Sequence, residues 1–293
     1  MNGVIVVDKP EGWTSHDVVG KVRRIAGTKK IGHLGTLDPI ATGVLPLVLE
    51  RATRLAQFYT RSDKIYEGVV RFGWSTDSYD RAGAPTSPQL DVQVDAGRLE
   101  ELLERFRGEF MQTPPAVSAK KVGGQRAYDL ARKSIAVELE PAKVHVYELE
   151  LLGTDGAEAT LRAHCSGGTY MRSIVHDLGQ AMGCGAHLRE LRRLSSGEFE
   201  IDQARTIAQL ASLAADDRLV DALVPASRML PGFPEVYVDD LVAAQIRHGR
   251  NFPASPFRSQ PAARYVKAVT REGELVAIGE VVLPNLYHPA VVL

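Results

Sequence analysis

The sequence predicts an α+β fold: a mixed, largely antiparallel sheet with flanking helices, followed by a small β-rich appendage. Three observations carry this. Segments that read as strands recur at residues 65–72, 143–153 and 157–165, the last two joined by Thr154-Asp155-Gly156, whose Asp-Gly pair is a strong hairpin signal. Between them lie segments with helical spacing, carrying Val18, Val19, Val22 and Ile25, then Leu99, Leu102, Leu103 and Phe106, then Met171, Val175, Leu178 and Met182. Leu230-Pro231-Gly232-Phe233-Pro234 is the best linker in the chain, and it divides a domain over 1–230 from a smaller one over 231–293.

Taken in order, residues 3–8 form a strand, Lys9-Pro10-Glu11-Gly12 a turn, and Thr14 or Ser15 caps a helix that Gly27 ends. The apolar run Val44-Leu45-Pro46-Leu47-Val48-Leu49 reads as a buried strand and is followed by a short helix. In the strand at 65–72, alternation puts Tyr66 on the face of Val70 and Phe72. Residues 76–88 are a polar loop, and Asp95 caps a helix closed by Gly108. Gln112-Thr113-Pro114-Pro115 stops regular structure and opens a basic, glycine-punctuated excursion over about 112–140 that contains Lys120 and Arg126. In the strand at 157–165, Cys165 falls on the buried face. Further strands span 186–201, helices begin near Thr206 and Asp216, and the appendage holds a helix near 241–247 and strands near 264–270 and 274–282.

Composition narrows the function classes. An apolar fraction of 44% with 24% charged residues is ordinary for a globular protein. Cys165 and Cys184 fit neither a disulfide framework nor a metal site, and no apolar stretch approaches a membrane span, so a reduced, cytoplasmic setting is expected. The net charge of −1 does not by itself point to nucleic acid, but basic residues gather at Lys21, Arg23, Arg24, Lys29 and Lys30, at 120–133, and at Arg189, Arg192 and Arg193. Such clusters could hold a phosphate backbone on one side.

The chemistry concentrates in Gly32-His33-Leu34-Gly35-Thr36-Leu37-Asp38-Pro39-Ile40-Ala41-Thr42-Gly43. Three glycines in twelve residues let backbone pass close to a bulky ligand, and Pro39 biases Asp38 toward an extended conformation that aims its carboxylate. Arg172 falls in the first turn of its helix, where the helix dipole disfavours a cation and an anionic partner offsets that cost. The expectation is an Arg172–Asp38 pair that orients the carboxylate and keeps it ionised.

The stretch from His33 to Leu45 resembles the catalytic-aspartate motif of the TruB family of tRNA pseudouridine-55 synthases. Three further motifs follow the same family order: Lys9-Pro10, Lys64-Ile65-Tyr66-Glu67 and Gly168-Thr169-Tyr170-Met171-Arg172. The resemblance covers roughly residues 3–230 and implies a pseudouridine synthase fold with a PUA-like C-terminal domain. It also implies isomerisation of the T-loop uridine at tRNA position 55 by base flipping, glycosidic cleavage, uracil rotation and C5–C1′ bond formation. Asp38 is then the catalytic aspartate, attacking C1′ or removing the C2′ proton. Tyr66 stacks on the uracil, Arg172 pairs with Asp38, Tyr170 packs against the pocket, and His33 accompanies the flipped-out RNA. Lys9 shapes the floor of the substrate site, and Lys120 and Arg126 lie on the insertion that clamps the T-arm stem-loop. No cofactor and no metal are implied; the partner is tRNA, there is no membrane, and the protein is a monomer.

Three other readings compete. A non-catalytic RNA-binding protein has no need of an ionised carboxylate facing a polyanion. A zinc deaminase could use His176, Cys184 and His187, but the H-x-E and P-C-x-x-C pattern is missing. A glycosidase-like hydrolase needs a second carboxyl, which the matched motifs do not supply.

Overall fold

The computed structural model describes residues 1–116, the backbone of 121–122 and 125–126, and residues 139–254 and 263–293. Strand β1 (Gly3–Lys9) leads into helix α1 (Ser15–Ala26), which Thr14 and Asp17 cap reciprocally and Gly27 ends in the left-handed conformation. Strand β2 (Ile31–His33) and strand β3 (Ala41–Leu49) follow, then a 3-10 helix over Glu50–Tyr59 and strand β4 (Lys64–Phe72). Helix α2 (Ala96–Leu103), capped by Asp95, precedes β5 (Gly108–Gln112), and the short β6 (Lys121–Val122) and β7 (Gln125–Arg126) pair with each other. Next come β8 (Ala142–Asp155), β9 (Glu158–Cys165), helix α3 (Met171–Met182), β10 (Ala186–Ser196) and β11 (Phe199–Glu200). Helix α4 (Ile207–Ala215) and β12 (Leu223–Pro225) bring the chain back to β1.

These strands form one sheet in the order β12-β1-β3-β10-β4-β9-β8-β5, with β2 on β3 and β11 on β10. Every pairing in it is antiparallel except β3 with β10, so the sheet is mixed and largely antiparallel. The continuous apolar run of β3 has a physical reason. Ile5, Val7, Leu45, Leu47 and Leu49 face the helices, whereas Val4, Val6, Val44 and Val48 face a second core shared with the other sheet. A strand covered on both faces cannot alternate. Pro46 is tolerated because its carbonyl accepts from Leu34 N at 3.0 Å, so its ring lies on the side where the neighbour of β3 changes from β10 to β2.

The second sheet has the order β13-β15-β16-β17-β14, from β13 (Glu235–Tyr237), β14 (Phe252–Pro253), β15 (Tyr265–Val269), β16 (Leu275–Leu283) and β17 (Leu286–Val292), with helix α5 (Asp240–Arg247) against it. Phe58, Phe233 and Tyr265 form an aromatic triad between the sheets, with ring centroids 5.3–5.5 Å apart. The buried Lys267 donates to Ser227 O at 2.8 Å and pairs with Glu235 at 3.0 Å.

Two sequence expectations change. Gly108 does not merely close a helix; it begins β5, an edge strand only half buried and therefore without a clear apolar face. Asp216 ends α4, and only a 3-10 turn over Leu219–Ala222 follows. Strand β12 is too short to show a period. Of the expected insertion, Lys120 lies outside the described residues, and Arg126 is described only as backbone of β7.

Candidate active site

The loop from Leu34 to Ile40 joins β2 to β3 and is held by buried polar side chains rather than by packing alone. Ser15 Oγ accepts from Leu37 N at 2.9 Å and lies 3.1 Å from Leu37 O as donor. Arg193, 1% exposed, donates to Val44 O at 2.7 Å, Gly35 O at 3.0 Å and Thr36 O at 3.3 Å, and so ties both ends of the loop. Lys9, fully buried, donates to Trp13 O at 2.5 Å, Pro10 O at 2.9 Å and Pro39 O at 3.4 Å. Burial lowers its pKa to about 8, against the partial counter-pull of Asp38. Asp38 O accepts from Ala41 N at 3.0 Å, which makes Asp38-Pro39-Ile40-Ala41 a turn with proline at its favoured second position. At Gly43, φ is +96° and an added Cβ would lie 2.2 Å from Arg193 O, so only glycine lets β3 and β10 approach here.

The carboxylate this loop presents is gripped by Arg172. Arg172 Nε lies 2.9 Å from Asp38 Oδ2 and Nη2 lies 3.1 Å from Oδ1, a two-point fork that fixes the plane of the carboxylate. The arginine side chain is 4% exposed and the aspartate 35%, so the cation is sequestered while the anion keeps an open side. Arg172 Nη1 donates to Ser78 O at 2.9 Å and stands 3.8 Å from Asp80 Oδ2. Two carboxylates thus offset the unfavourable place of a cation in the first turn of α3.

The open side of Asp38 faces a cavity of about 330 Å³ lined by His33, Tyr66, Tyr170, Arg172, Lys64 and Leu191 among others, with Gly35–Leu37 at its rim. That volume sits at the lower end of the ~300–1,000 Å³ usual for small-molecule sites and suits one planar ring between aromatic and aliphatic walls. Burial pushes the Tyr66 hydroxyl's pKa up, and Arg193, which hydrogen-bonds it, pulls it partly back. Lys64 donates to Ser62 O; its burial, with Arg193 nearby, lowers its pKa to about 8. His33 Nδ1 accepts from Gly35 N at 3.3 Å, and its ring meets His16 edge-on at 5.9 Å. An aimed carboxylate at one end of an aromatic slot can act on a sugar carbon or its proton while the slot retains a base.

Asp38, Tyr66, Tyr170, Arg172 and His33 therefore meet in one cavity. Lys9 does not reach it: its ammonium is spent on carbonyls beneath the loop, which makes it part of the floor and not a substrate contact. The expected basic cluster at 189–193 is also consumed internally, since Arg189 pairs with Glu158, Arg192 pairs with Asp8 at 2.8 Å and Arg193 is buried. His176 stacks on Tyr79 with centroids 3.8 Å apart, and His187 Nδ1 lies 3.2 Å from Trp74 O; among the described residues no three such side chains are arranged for a metal ion. Sequence reasoning missed Ser15, Lys64 and Arg193 as parts of the site. The signal for Arg193 was its two-residue spacing from Leu191 on a strand.

Both the sequence and the fold are similar to those of known proteins. A model of the TruB family pseudouridylate synthase N-terminal domain matches residues 23–171, and one of the tRNA pseudouridylate synthase B C-terminal domain matches residues 172–231. The chain is 78% identical over 293 residues, all of both chains, to a tRNA pseudouridine synthase B of Solibacter usitatus (strain Ellin6076). It is 41% identical to one of Dechloromonas aromatica (strain RCB), covering 96% of this chain and 91% of that one. Among solved structures it resembles a chain of an H/ACA ribonucleoprotein bound to a substrate RNA containing 2′-deoxyuridine, with 28% identity and a TM-score of 0.71 over 96% of this chain and 78% of the other.

Proposed function

The chain belongs to the TruB family of pseudouridylate synthases, and on that premise we propose that it isomerises the T-loop uridine at tRNA position 55 to pseudouridine with Asp38 as its catalytic carboxylate. The observation that carries this reading is the forked Asp38–Arg172 pair, which fixes the carboxylate while leaving its other side open to a base-sized cavity.

The reaction breaks the N1–C1′ bond of the target nucleotide, turns the freed uracil and joins C5 to C1′; N1 gains a proton and C5 loses one. The nucleotide leaves its stack to enter the cavity, a step that favours an unpaired loop over a duplex. Asp38 then acts at the ribose, and either attack on C1′ or removal of the C2′ proton needs the same ionised, immobilised group. Tyr66 stacks on the uracil and Tyr170 walls the pocket, so the detached base turns in place. Tyr66 also serves as the acid/base for the final C5 proton. His33 sits at the cavity edge, where displaced RNA would pass.

The exposed Arg23, Arg24, Lys29 and Lys30, with Lys120 and Arg126 on the 112–140 stretch, hold the T-arm backbone by charge. A catalytic domain over 1–230 and a PUA-like domain over 231–293 agree with the start of the second sheet at Glu235. No helix of the described residues is long and apolar enough to cross a membrane; the reading is of a cytoplasmic tRNA modifier.

Mapping pseudouridine in a treated tRNA transcript tests the target. Modification is expected at position 55 alone and none in a transcript with cytidine there; conversion at another uridine would refute the assignment.

A further inference from the structure

Tyr170 walls the cavity, and its carbonyl accepts from Ile174 N of α3 at 3.3 Å. It is the residue before α3, its side chain makes no cap, and only Thr169 separates it from Gly167-Gly168. Gly167 passes so close to the 3-10 helix that an added Cβ would lie 2.8 Å from Thr60 O, and Gly168 has φ +95°. Glycines make this approach possible, but they also leave the segment with many conformations to lose.

The order comes from across the sheet. Gln112, the last residue of β5, is 2% exposed. Its Oε1 accepts from Tyr170 N at 2.8 Å and its Nε2 donates to Tyr170 O at 3.1 Å. One side-chain amide therefore pairs with both backbone groups of one residue, as a neighbouring strand would. The next residue adds a third tie, Ser173 Oγ to Thr113 O at 2.8 Å. Such pairing fixes the peptide plane on both sides of Tyr170, and with it the direction in which the ring leaves the backbone.

We propose that Gln112 is a positioning residue for the isomerisation, acting through Tyr170 to set the cavity wall against which the base turns. This rests on the function proposed above. Methionine at 112 keeps the volume but offers neither donor nor acceptor, and Gln112→Glu keeps the acceptor for Tyr170 N and loses the donor. A wall displaced by about an ångström costs roughly 10–100-fold in rate without weakening contacts made elsewhere.

The test is single-turnover release of tritium from C5-labelled tRNA transcript, with tRNA affinity measured in parallel, for wild type, Gln112→Met, Gln112→Glu, Tyr170→Ala and Gln112→Met/Tyr170→Ala. The expected result is a rate loss of roughly 10–100-fold in Gln112→Met, a smaller loss in Gln112→Glu, unchanged affinity, and almost no further loss when Gln112→Met is added to Tyr170→Ala. Should Gln112→Met fail to fold, Gln112→Glu in the same two backgrounds decides. A wild-type rate in the glutamine variants, a loss that multiplies undiminished with Tyr170→Ala, or a parallel loss of affinity would overturn the inference. Wild-type protein that releases no tritium would instead overturn the proposed function, so the two failures are distinct.

Discussion

The loop around Asp38 and the C-terminal sheet are both held firmly, by opposite means. Beneath the loop the ties are buried cations on oxygens: Lys9 on the carbonyls of Pro10, Trp13 and Pro39, Arg193 on those of Gly35, Thr36 and Val44, and Arg172 on the Asp38 carboxylate and Ser78 O. Between the sheets the contact is mainly apolar, built by Val4, Val44 and Val48 against Val269, Ile278 and Val291, with Phe58, Phe233 and Tyr265 beside them. Hydrophobic contact is non-directional and secures attachment. Charge-assisted hydrogen bonds are directional and secure aim. Damage to the first region should therefore always appear in turnover, whereas damage to the second should appear in stability alone.

Arg172→Lys attacks aim most sharply, because an ammonium cannot reproduce the fork. Single-turnover isomerisation should fall about 100-fold while the melting temperature moves little. A variant that melts early with its residual rate intact would erase the distinction. Arg193→Met should move both quantities, since three carbonyls under the loop lose a charged donor; urea unfolding should show about 2–4 kcal/mol of destabilisation alongside a slower reaction. Phe233→Ala is the converse. It removes a half-buried ring from the inter-sheet triad, for about 1–3 kcal/mol, and should leave the rate per folded molecule unchanged.

The smallest effect is a pH dependence with an unaccustomed sign. Lys9 and Lys64 bind their protons with pKa near 8 in the folded protein, below the ordinary lysine value of 10.5. Between those values the unfolded chain holds more protons than the native one, so these lysines make stability rise as pH climbs from about 8 toward 10.5. Denaturation midpoints across that window should climb less steeply in Lys9→Met than in wild type; an equal or steeper climb would contradict the burial argument.

The elements that alternate or carry caps were legible in the sequence: Thr14 and Gly27 around α1, the β4 face of Tyr66, Val70 and Phe72, and the Asp155-Gly156 turn. So was the meeting of Asp38 with Arg172, because a cation in a helix's first turn asks for an anion. Arg193 was not, since an arginine beside two others in a charged run has the same composition whether it faces water or carbonyls. Only its spacing from Leu191 marks the inward face, and register shifts on both sides of that pair in β10 blur it. In the sequence Gln112 reads as the end of structure because prolines follow it, whereas its partner Tyr170 lies 58 positions away. Long-range polar pairing leaves no local period to read.

The central claim is that the aimed carboxylate of Asp38 performs the isomerisation. The direct measurement is tritium release from C5-labelled tRNA transcript by wild type and Asp38→Asn, with tRNA binding and melting recorded for both. Release by wild type and none by Asp38→Asn are expected, with both proteins folded and both binding tRNA. Release by the asparagine variant at a rate near that of wild type would contradict it.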